Sequence, residues 1–245
     1  MTSQVILSTS GATKRFGGVT AVNNVDFSIN RGEVVGILGP NGAGKSSFFN
    51  LLAGAIQPDS GTINFLDQDV TSWQSHEMCA KGLARTFQIV RPLKGLTVLE
   101  NVMVGAFAKT GSVREAKEIA SSAIELVGLA GLESVVSSNL TLGYRKRLEV
   151  ARALATKPEI LLLDEVMSGL NPAELDSFLE MLRSVNKDGV TLIVVEHIVS
   201  AVIQISTRIV VIVQGSTIAN GTPSEVINNK LVIDAYLGEL DYEVS

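Results

Sequence analysis

The chain has 245 residues, of which 46% are hydrophobic, and a formal net charge of −5. This length suits one α/β domain or a domain with a subdomain, and the acidic balance argues against a general affinity for nucleic acid. No apolar run reaches the roughly 18 residues that a membrane-spanning helix needs. We expect no signal peptide in residues 1–10. The single cysteine, Cys79, excludes an intrachain disulfide and fits a reducing cytoplasm.

Short strands dominate the first third of the chain. They are predicted over Val5–Ser8, Val25–Ile29, Val34–Leu38 and Thr62–Leu66. The third of these, VVGIL, is almost entirely apolar and enters a glycine-rich loop. A helix is predicted to begin near Lys45 and to stop near Gly54.

The middle of the chain is predicted to be helical. Thr97 and Glu100 form a capping box that opens a helix through about Ala108. Two further helices are predicted over Arg114–Val127 and Tyr144–Ala155. We interpret the block at about 90–155 as a helical subdomain inserted into a single domain that spans residues 1–245.

Strands and helices alternate in the remainder of the chain, which predicts a parallel sheet. The predicted strands are Ile160–Leu163, Thr191–Val195 and Arg208–Val213, and the predicted helices begin at Asn171 and Thr222 and cover Leu231–Leu237 with a stop at Gly238. A parallel sheet covered on both faces explains the high aliphatic content. An apolar surface for a membrane-embedded partner explains it equally well, and composition leaves both open.

The loop after VVGIL has the pattern of a phosphate-binding loop. Its residues read GPNGAGKS, which matches GxxxxGKS between a strand and a helix. The glycines let backbone N–H groups face a phosphate, and the helix amino terminus adds partial positive charge. Lys45 can reach the β- and γ-phosphates, and the Ser46 hydroxyl can ligate Mg²⁺. The candidate nucleotide-binding residues are Gly39, Pro40, Asn41, Gly42, Ala43, Gly44, Lys45 and Ser46.

Two adjacent carboxylates end the apolar strand that begins at Ile160. Asp164 is a candidate to hold Mg²⁺ through water, because magnesium keeps several of its waters. Glu165 is a candidate to polarise the water that attacks the γ-phosphate. The alternative is an acid pair that only faces solvent, which the presence of a phosphate loop disfavours.

Three other residues are weaker candidates when taken alone. His197 follows a strand, at the end where open α/β sheets bind ligands, and is a candidate γ-phosphate contact. Gln88 is an unremarkable polar residue without further context. Phe16 is equally compatible with stacking on a purine and with a place in the core.

Taken in order, the motifs resemble the ATPase subunit of ABC transporters over essentially the whole chain. They are Phe16, GPNGAGKSS, Gln88, LTLGY, LLLDE, SGLNP and VEH. Within that family the chain is most similar to the ATP-binding subunits of branched-chain amino acid importers, on ARTFQ, LTVLEN, SGLNP and the tail GTPSEVINNKLVIDAYLGEL. The resemblance implies the ABC ATPase fold. This is a P-loop NTPase parallel-sheet core with an N-terminal antiparallel β subdomain and an inserted α-helical subdomain.

The resemblance also implies roles that spacing alone does not give. Phe16 would stack on adenine, Ser47 would contact the α-phosphate, and Gln88 would sense Mg²⁺ and the attacking water. Thr141 and Gly143 would contact the ATP held by the opposite subunit. ATP and Mg²⁺ are then the expected cofactors, and a head-to-tail homodimer, or a heterodimer with a paralogous ATPase, is the expected assembly.

Several positions depart from the usual pattern of the family. The signature LSGGQ reads LTLGY here, with Leu142 in place of a glycine and Tyr144 in place of the glutamine. Val166 replaces the proline after the acid pair, and Asn171 replaces an aspartate, although asparagine fits the closer subgroup. Glu165 and His197 are retained.

The leading hypothesis is an ATP-hydrolysing subunit of an importer for branched-chain or related amino acids, peripheral on the cytoplasmic face of the membrane and docked to permease subunits. A second hypothesis keeps the fold and changes the cargo to urea, another solute or exported lipopolysaccharide. A third is a nucleotide-dependent module of translation or DNA repair, which the acidic charge and the lack of a second cassette disfavour. A fourth is an inactive ATP-binding scaffold.

Overall fold

The computed structural model describes residues 4–86 and 93–240, with side chains through residue 236. The chain forms two compact units. The first comprises the residues up to Ser75 together with those from Ile193 onward, and the second comprises His76–Leu192. No helix in the described part of the chain is both long enough and apolar enough to cross a bilayer.

The strands and helices follow one another in mixed order along the chain. The strands are β1 Val5–Phe16, β2 Val19–Asn30, β3 Val34–Leu38, β4 Ser60–Phe65, β5 Gln68–Asp69, β6 Leu83–Arg85, β7 Ile160–Asp164, β8 Thr191–Val195, β9 Arg208–Val213 and β10 Ser216–Gly221. The helices are α1 Lys45–Leu52, α2 Ser75–Lys81, α3 Val98–Ala106, α4 Val113–Leu126, α5 Leu142–Leu154, α6 Pro172–Lys187, α7 Val199–Ile205, α8 Pro223–Ile227 and α9 Lys230–Leu240. A short 3₁₀ helix covers Ser137–Asn139.

The first unit contains an antiparallel sheet and a mixed one. The antiparallel sheet has the order β2-β1-β4-β5, and in the mixed one β10, β9, β3 and β8 are successive neighbours. Strand β3 pairs in parallel with β9, with Val35 opposite Arg208, and all five of its residues are buried. Helix α1 buries Phe48 and packs its ring edge-on to that of Phe27, 5.5 Å away. This core fixes the strand from which the candidate phosphate loop starts.

The second unit pairs β6 with β7 in parallel, with Leu83 opposite Ile160, and packs helices α3 to α6 together. Helix α3 comes very close to α5 at Gly105. A Cβ on Gly105 would lie 2.1 Å from the Arg152 carbonyl oxygen, so only glycine permits this approach. Leu148 and Ala151 of α5 and Ala155, which follows it, are all buried.

Several predicted elements are confirmed and some boundaries were wrong. The capping boxes at Thr97, Asn171 and Thr222 are all present. The last helix was predicted to stop at Gly238, but it continues to Leu240, because a glycine permits a left-handed stop without requiring one. The first two strands are much longer than predicted, since they pair with each other through polar residues as well as apolar ones. Elements β5, β6, β10, α2 and α7 were not predicted.

Candidate functional site

The candidate phosphate loop leaves β3 at Gly39 and enters α1 at Lys45, and two of its glycines are required sterically. A Cβ on Gly39 would lie 2.0 Å from the carbonyl oxygen of Ile212, and one on Gly44 would lie 2.1 Å from that of Ala21. Gly44 also has a φ of +100°, in the left-handed region that favours glycine. The loop is therefore packed directly against neighbouring backbone at both of its ends.

The turn between β9 and β10 supports the middle of the loop. The N–H of Gly215 donates to the carbonyl oxygen of Ala43 at 2.8 Å, and the carbonyl oxygen of Gly215 accepts from the N–H of Asn23 at 2.8 Å. These bonds connect the loop to β2 through one glycine. The loop conformation is thus largely set by the surrounding strands.

Lys45 lies with its ammonium group folded back over the loop. Its side chain is buried, at 6% exposure, and Nζ donates to the carbonyl oxygens of Gly39 at 2.5 Å and Pro40 at 2.9 Å. Helix α1 has Gly44 as its N-cap and no side-chain capping bond. A helix start of this kind, with a lysine beside it, favours an anion such as phosphate. Ser46 is exposed and Ser47 is half-buried at the same helix start.

Phe16 and His197 belong to the same unit as the phosphate loop. Phe16 ends β1 and is 50% exposed, so the alternative that it belongs to the core is wrong. The ammonium of Lys14 lies 5.8 Å from the centre of its ring, which is a cation–π contact. His197 is exposed two residues after β8, the strand that neighbours β3. Both side chains are accessible to a ligand.

The two carboxylates lie in the second unit, where β7 ends. Asp164 is buried and accepts a hydrogen bond from the Arg85 guanidinium at 2.8 Å. Its own N–H donates to the hydroxyl of Thr86, whose N–H in turn donates to the carbonyl oxygen of Leu162. Glu165 is half-buried and has a φ of +50°, which is strained for a residue with a side chain. The chain therefore turns sharply at Glu165, beside a carboxylate held in place by β6.

The signature element LTLGY opens helix α5. The hydroxyl of Thr141 accepts a hydrogen bond from the N–H of Tyr144 and so caps the helix. A Cβ on Gly143 would lie 3.1 Å from a carboxylate oxygen of Glu174, which shows how closely the start of α5 approaches that of α6. Thr141, Gly143, Tyr144, Asn171 and Glu174 help to line one cavity of about 600 Å³. Tyr144 takes up part of this space where the family pattern has glutamine, and its side chain is 42% exposed.

Arg147, which sequence reasoning did not select, anchors this helix. Its guanidinium donates to the carbonyl oxygen of Val127 at 2.7 Å and to the hydroxyl of Ser177 at 2.8 Å. Burial lowers the pKa of Arg147, and the interaction with Tyr144 opposes that shift. Arginine stays protonated in proteins, so the group holds α5 between α4 and α6 as a cation.

Gln88, the remaining candidate, lies outside the described residues. Within the described ranges, no group of three or more His, Cys, Asp or Glu side chains is arranged to bind a metal ion. Magnesium that arrives with a nucleotide does not need such a group, because one or two protein oxygens and the phosphates hold it. The Ser46 hydroxyl and the Asp164 carboxylate are oxygen donors of this kind.

Arg85, Thr86 and Tyr236 are further residues near the candidate groups that sequence reasoning did not select. Arg85 and Thr86 stand in the segment ARTFQ, which carried only part of the family resemblance. The only local indication of a role for Arg85 and Thr86 was that a basic residue and a hydroxyl residue follow a short apolar segment. The hydroxyl of Tyr236 accepts a hydrogen bond from the N–H of Gly39, and nothing in the local sequence around either residue indicates that contact.

Two family models match the chain. The one described as "ABC transporter" matches residues 22–168, and the one described as "Branched-chain amino acid ATP-binding cassette transporter" matches residues 216–242. The high-affinity branched-chain amino acid transport ATP-binding protein LivG of Escherichia coli K12 is 43% identical to this chain, over 97% of this chain and 99% of LivG.

Solved structures give the same result for the fold. An ATP-binding cassette of an ABC transporter in its ADP conformation aligns with a TM-score of 0.88 and 30% identity, over 96% of this chain and 100% of that one. A dimeric cassette in a post-hydrolysis state with ADP and Pi aligns with a TM-score of 0.79 and 25% identity, over 89% and 99% of the two chains.

The chain therefore belongs to the ABC transporter family. It has the ABC ATPase fold, which confirms the predicted fold class, and it is a nucleotide-binding ATP hydrolase. The resemblance to the ATPases of branched-chain amino acid importers is confirmed by the sequence identity to LivG and by the family model that matches residues 216–242.

Proposed function

We propose that this chain is the ATP-hydrolysing subunit of an ABC importer that carries branched-chain or related amino acids. The observation that carries the proposal is the match of residues 216–242 to the branched-chain amino acid cassette model, in a chain that also has a complete phosphate loop. The 43% identity to LivG over nearly the full length of both chains supports the same cargo class.

In this proposal the phosphate loop binds ATP. Backbone N–H groups of Asn41, Gly42, Ala43 and Gly44 and their neighbours surround the phosphates. Gly39 and Pro40 shape the loop, and Pro40 has no N–H to donate. Lys45 leaves the carbonyl oxygens of the loop and pairs with the β- and γ-phosphates. Ser47 contacts the α-phosphate, and Phe16 stacks on adenine. The exposure of Phe16 and the uncapped start of α1 support these roles.

Mg²⁺ would be held by Ser46, Asp164 and Gln88, and when bound it neutralises charge on the phosphates. Glu165 polarises the attacking water as general base. His197 contacts the γ-phosphate, and Gln88 positions the water. The strained backbone at Glu165 supports a functional role, because such strain is concentrated at active sites.

The working assembly would be a head-to-tail pair of cassettes. One chain carries one phosphate loop and one signature, so Thr141 and Gly143 would contact the ATP of the partner cassette. That partner is either a second copy or a paralogous ATPase. Permease subunits would bind the pair at the cytoplasmic face of the membrane. Residues 1–245 would act as one ATPase domain, with the helical subdomain at about 90–155 inserted into it.

Glu165→Gln tests the hydrolytic mechanism. We expect ATP turnover to fall at least about a hundredfold while ATP still binds, because only the base is lost. The variant should also accumulate as an ATP-bound dimer in gel filtration. Glu159→Gln is the matched control, since Glu159 precedes the same strand at its opposite end and should leave turnover unchanged. Undiminished hydrolysis by Glu165→Gln would remove Glu165 from the mechanism.

Purification of the complex from membranes tests the cargo. We expect permease subunits to co-purify, and branched-chain amino acids to stimulate ATP turnover when the complex is supplied with its binding protein. If only urea or another solute stimulated ATP turnover, the proposed cargo would be wrong and the ATPase assignment would still hold. Salt-sensitive binding of RNA or DNA, without permeases, would favour the module of translation or DNA repair.

A further inference from the structure

Tyr236 connects the C-terminal helix to the start of the phosphate loop. Its hydroxyl lies 2.9 Å from the nitrogen of Gly39 and accepts the hydrogen bond of that N–H. Gly39 is buried, so its N–H has little access to water as a substitute acceptor. The two residues are 197 positions apart in the chain.

An apolar cluster also connects the C-terminal helix α9 with the end of strand β3. Leu38, the last residue of β3, shares a buried cluster with Val226 of α8 and Val232 of α9, and the ring of Tyr236 packs against this cluster. Helix α9 therefore shares an apolar cluster with Leu38 and contacts Gly39 through a hydrogen bond. Both contacts act where the strand becomes the loop.

Gly39 is in turn connected to Lys45. Its carbonyl oxygen accepts from Nζ of Lys45 at 2.5 Å, while its N–H is held by Tyr236. When Lys45 turns toward a phosphate, it gives up its bond to Gly39. The hydroxyl of Tyr236 and the close approach of the Ile212 carbonyl oxygen then remain to keep Gly39 in place.

We propose that Tyr236 is a positioning residue for nucleotide binding, which holds the first glycine of the phosphate loop from the C-terminal helix. Tyr236 lies within residues 216–242, the segment that matches the branched-chain amino acid cassette model. The segment that distinguishes this group of cassettes thus reaches the nucleotide site directly. The proposal rests on the assignment of the loop to ATP.

Tyr236→Phe tests it, because phenylalanine keeps the ring in the cluster and removes only the hydroxyl. We expect the Kd for ADP and the KM for ATP of the full chain to rise about three- to tenfold, as for one lost hydrogen bond. The kcat measured with the permeases should stay within about twofold. Amide hydrogen exchange in a peptide that includes Gly39 should become faster than in the wild type.

Val232→Ala is the matched variant, because it loosens the same helix and keeps the hydroxyl. It should lower the Tm and leave the Kd for ADP unchanged. The proposal is overturned if Tyr236→Phe binds ADP like the wild type, or if Val232→Ala weakens ADP binding as much as Tyr236→Phe does. A wild-type chain that does not bind ATP would instead overturn the assignment of the loop itself.

Discussion

Helices α1 and α5 both begin at sequences for which we propose phosphate binding, but their amino termini are built differently. Helix α1 starts after Gly44 and has no side-chain capping bond. Helix α5 starts after Thr141, whose hydroxyl already accepts from the N–H of Tyr144. The first N–H groups of a helix have no acceptor within the helix. An anion stabilises an uncapped start most, because at a capped start a side chain already accepts from one of these N–H groups. We therefore expect nucleotide affinity of a single chain to come from α1.

The electrostatic surroundings sharpen this difference. The start of α1 has the ammonium of Lys45 beside it and no acidic residue in its first turn. The start of α5 has the carboxylate of Glu174 close to Gly143, so negative charge already lies near its dipole. Helix α5 can contribute only when a strongly charged phosphate is brought to it. In the proposed head-to-tail pair, the nucleotide of the partner cassette would supply that phosphate.

Gly44→Ala should have the largest effect, because the added methyl group clashes with neighbouring backbone and displaces the phosphate loop. The added carbon would lie 2.1 Å from the Ala21 carbonyl oxygen, at a φ of +100° that disfavours any side chain. We expect ADP affinity to fall at least about a hundredfold, since the loop must move to accept the methyl group. Isothermal titration calorimetry on the folded variant measures this.

Gly111→Ala is the control for that change. A Cβ on Gly111 meets no heavy atom within 4 Å, so ADP affinity should be unaffected. If Gly44→Ala bound ADP like the wild type, the affinity of a single chain would not depend on the α1 start.

Thr141→Ala should have an intermediate effect and should separate the two helix starts. Loss of the cap removes about 1 kcal/mol of stability, and loss of the hydroxyl should reduce ATP turnover of the complex with permeases about tenfold. The Kd of the single chain for ADP should stay within about twofold. Thr141→Ser keeps the hydroxyl and should restore turnover. A Thr141→Ala chain with ADP binding as weak as that of Gly44→Ala would contradict the assignment of α5 to the partner's ATP.

Features formed by residues that are close in the sequence could be predicted, whereas contacts between residues far apart in the sequence could not. The capping box at Thr97 and the helix start at Asn171 were predicted because each is made within four neighbouring residues, and the phosphate loop is equally local. The contact of Arg85 with Asp164 spans 79 positions, and that of Tyr236 with Gly39 spans 197. Such pairs depend on strand pairing and helix docking, which no local pattern contains. The short strand β6 was missed for the same reason, because its three residues become a strand only beside β7.

Glu33→Gln should have the smallest effect on nucleotide binding. It tests whether the sheet behind α1 can be destabilised without loss of phosphate binding. Glu33 stands immediately before β3 and accepts hydrogen bonds from Arg208 of β9 and from the N–H of Asn30. Burial raises the pKa of Glu33, but the hydrogen bonds from Arg208 and Asn30 and the charge of Arg208 outweigh it and lower the pKa below its ordinary value of 4.5. A lowered pKa means that the ionised form stabilises the fold.

The sign of the pH dependence follows from that direction. The stabilisation is fully present above the ordinary pKa of 4.5 and is lost as the pH falls through the lower folded-state pKa. Glu33→Gln should therefore be less stable than the wild type by about 1 kcal/mol at pH 7, and the difference should shrink as the pH falls below about 4. Urea unfolding at several pH values measures this, and the Kd for ADP at pH 7 should not change.

Glu118→Gln supplies the contrast from the second unit. Its partner Arg114 is 90% exposed, so this ion pair is screened by solvent and should contribute almost nothing at any pH. If both variants lost the same stability at pH 7, burial would not be what distinguishes the two ion pairs. If Glu33→Gln weakened ADP binding as well, the phosphate loop would depend on the packing of the whole sheet behind it, and the local contacts of Gly39 and Gly44 would not be sufficient to hold it.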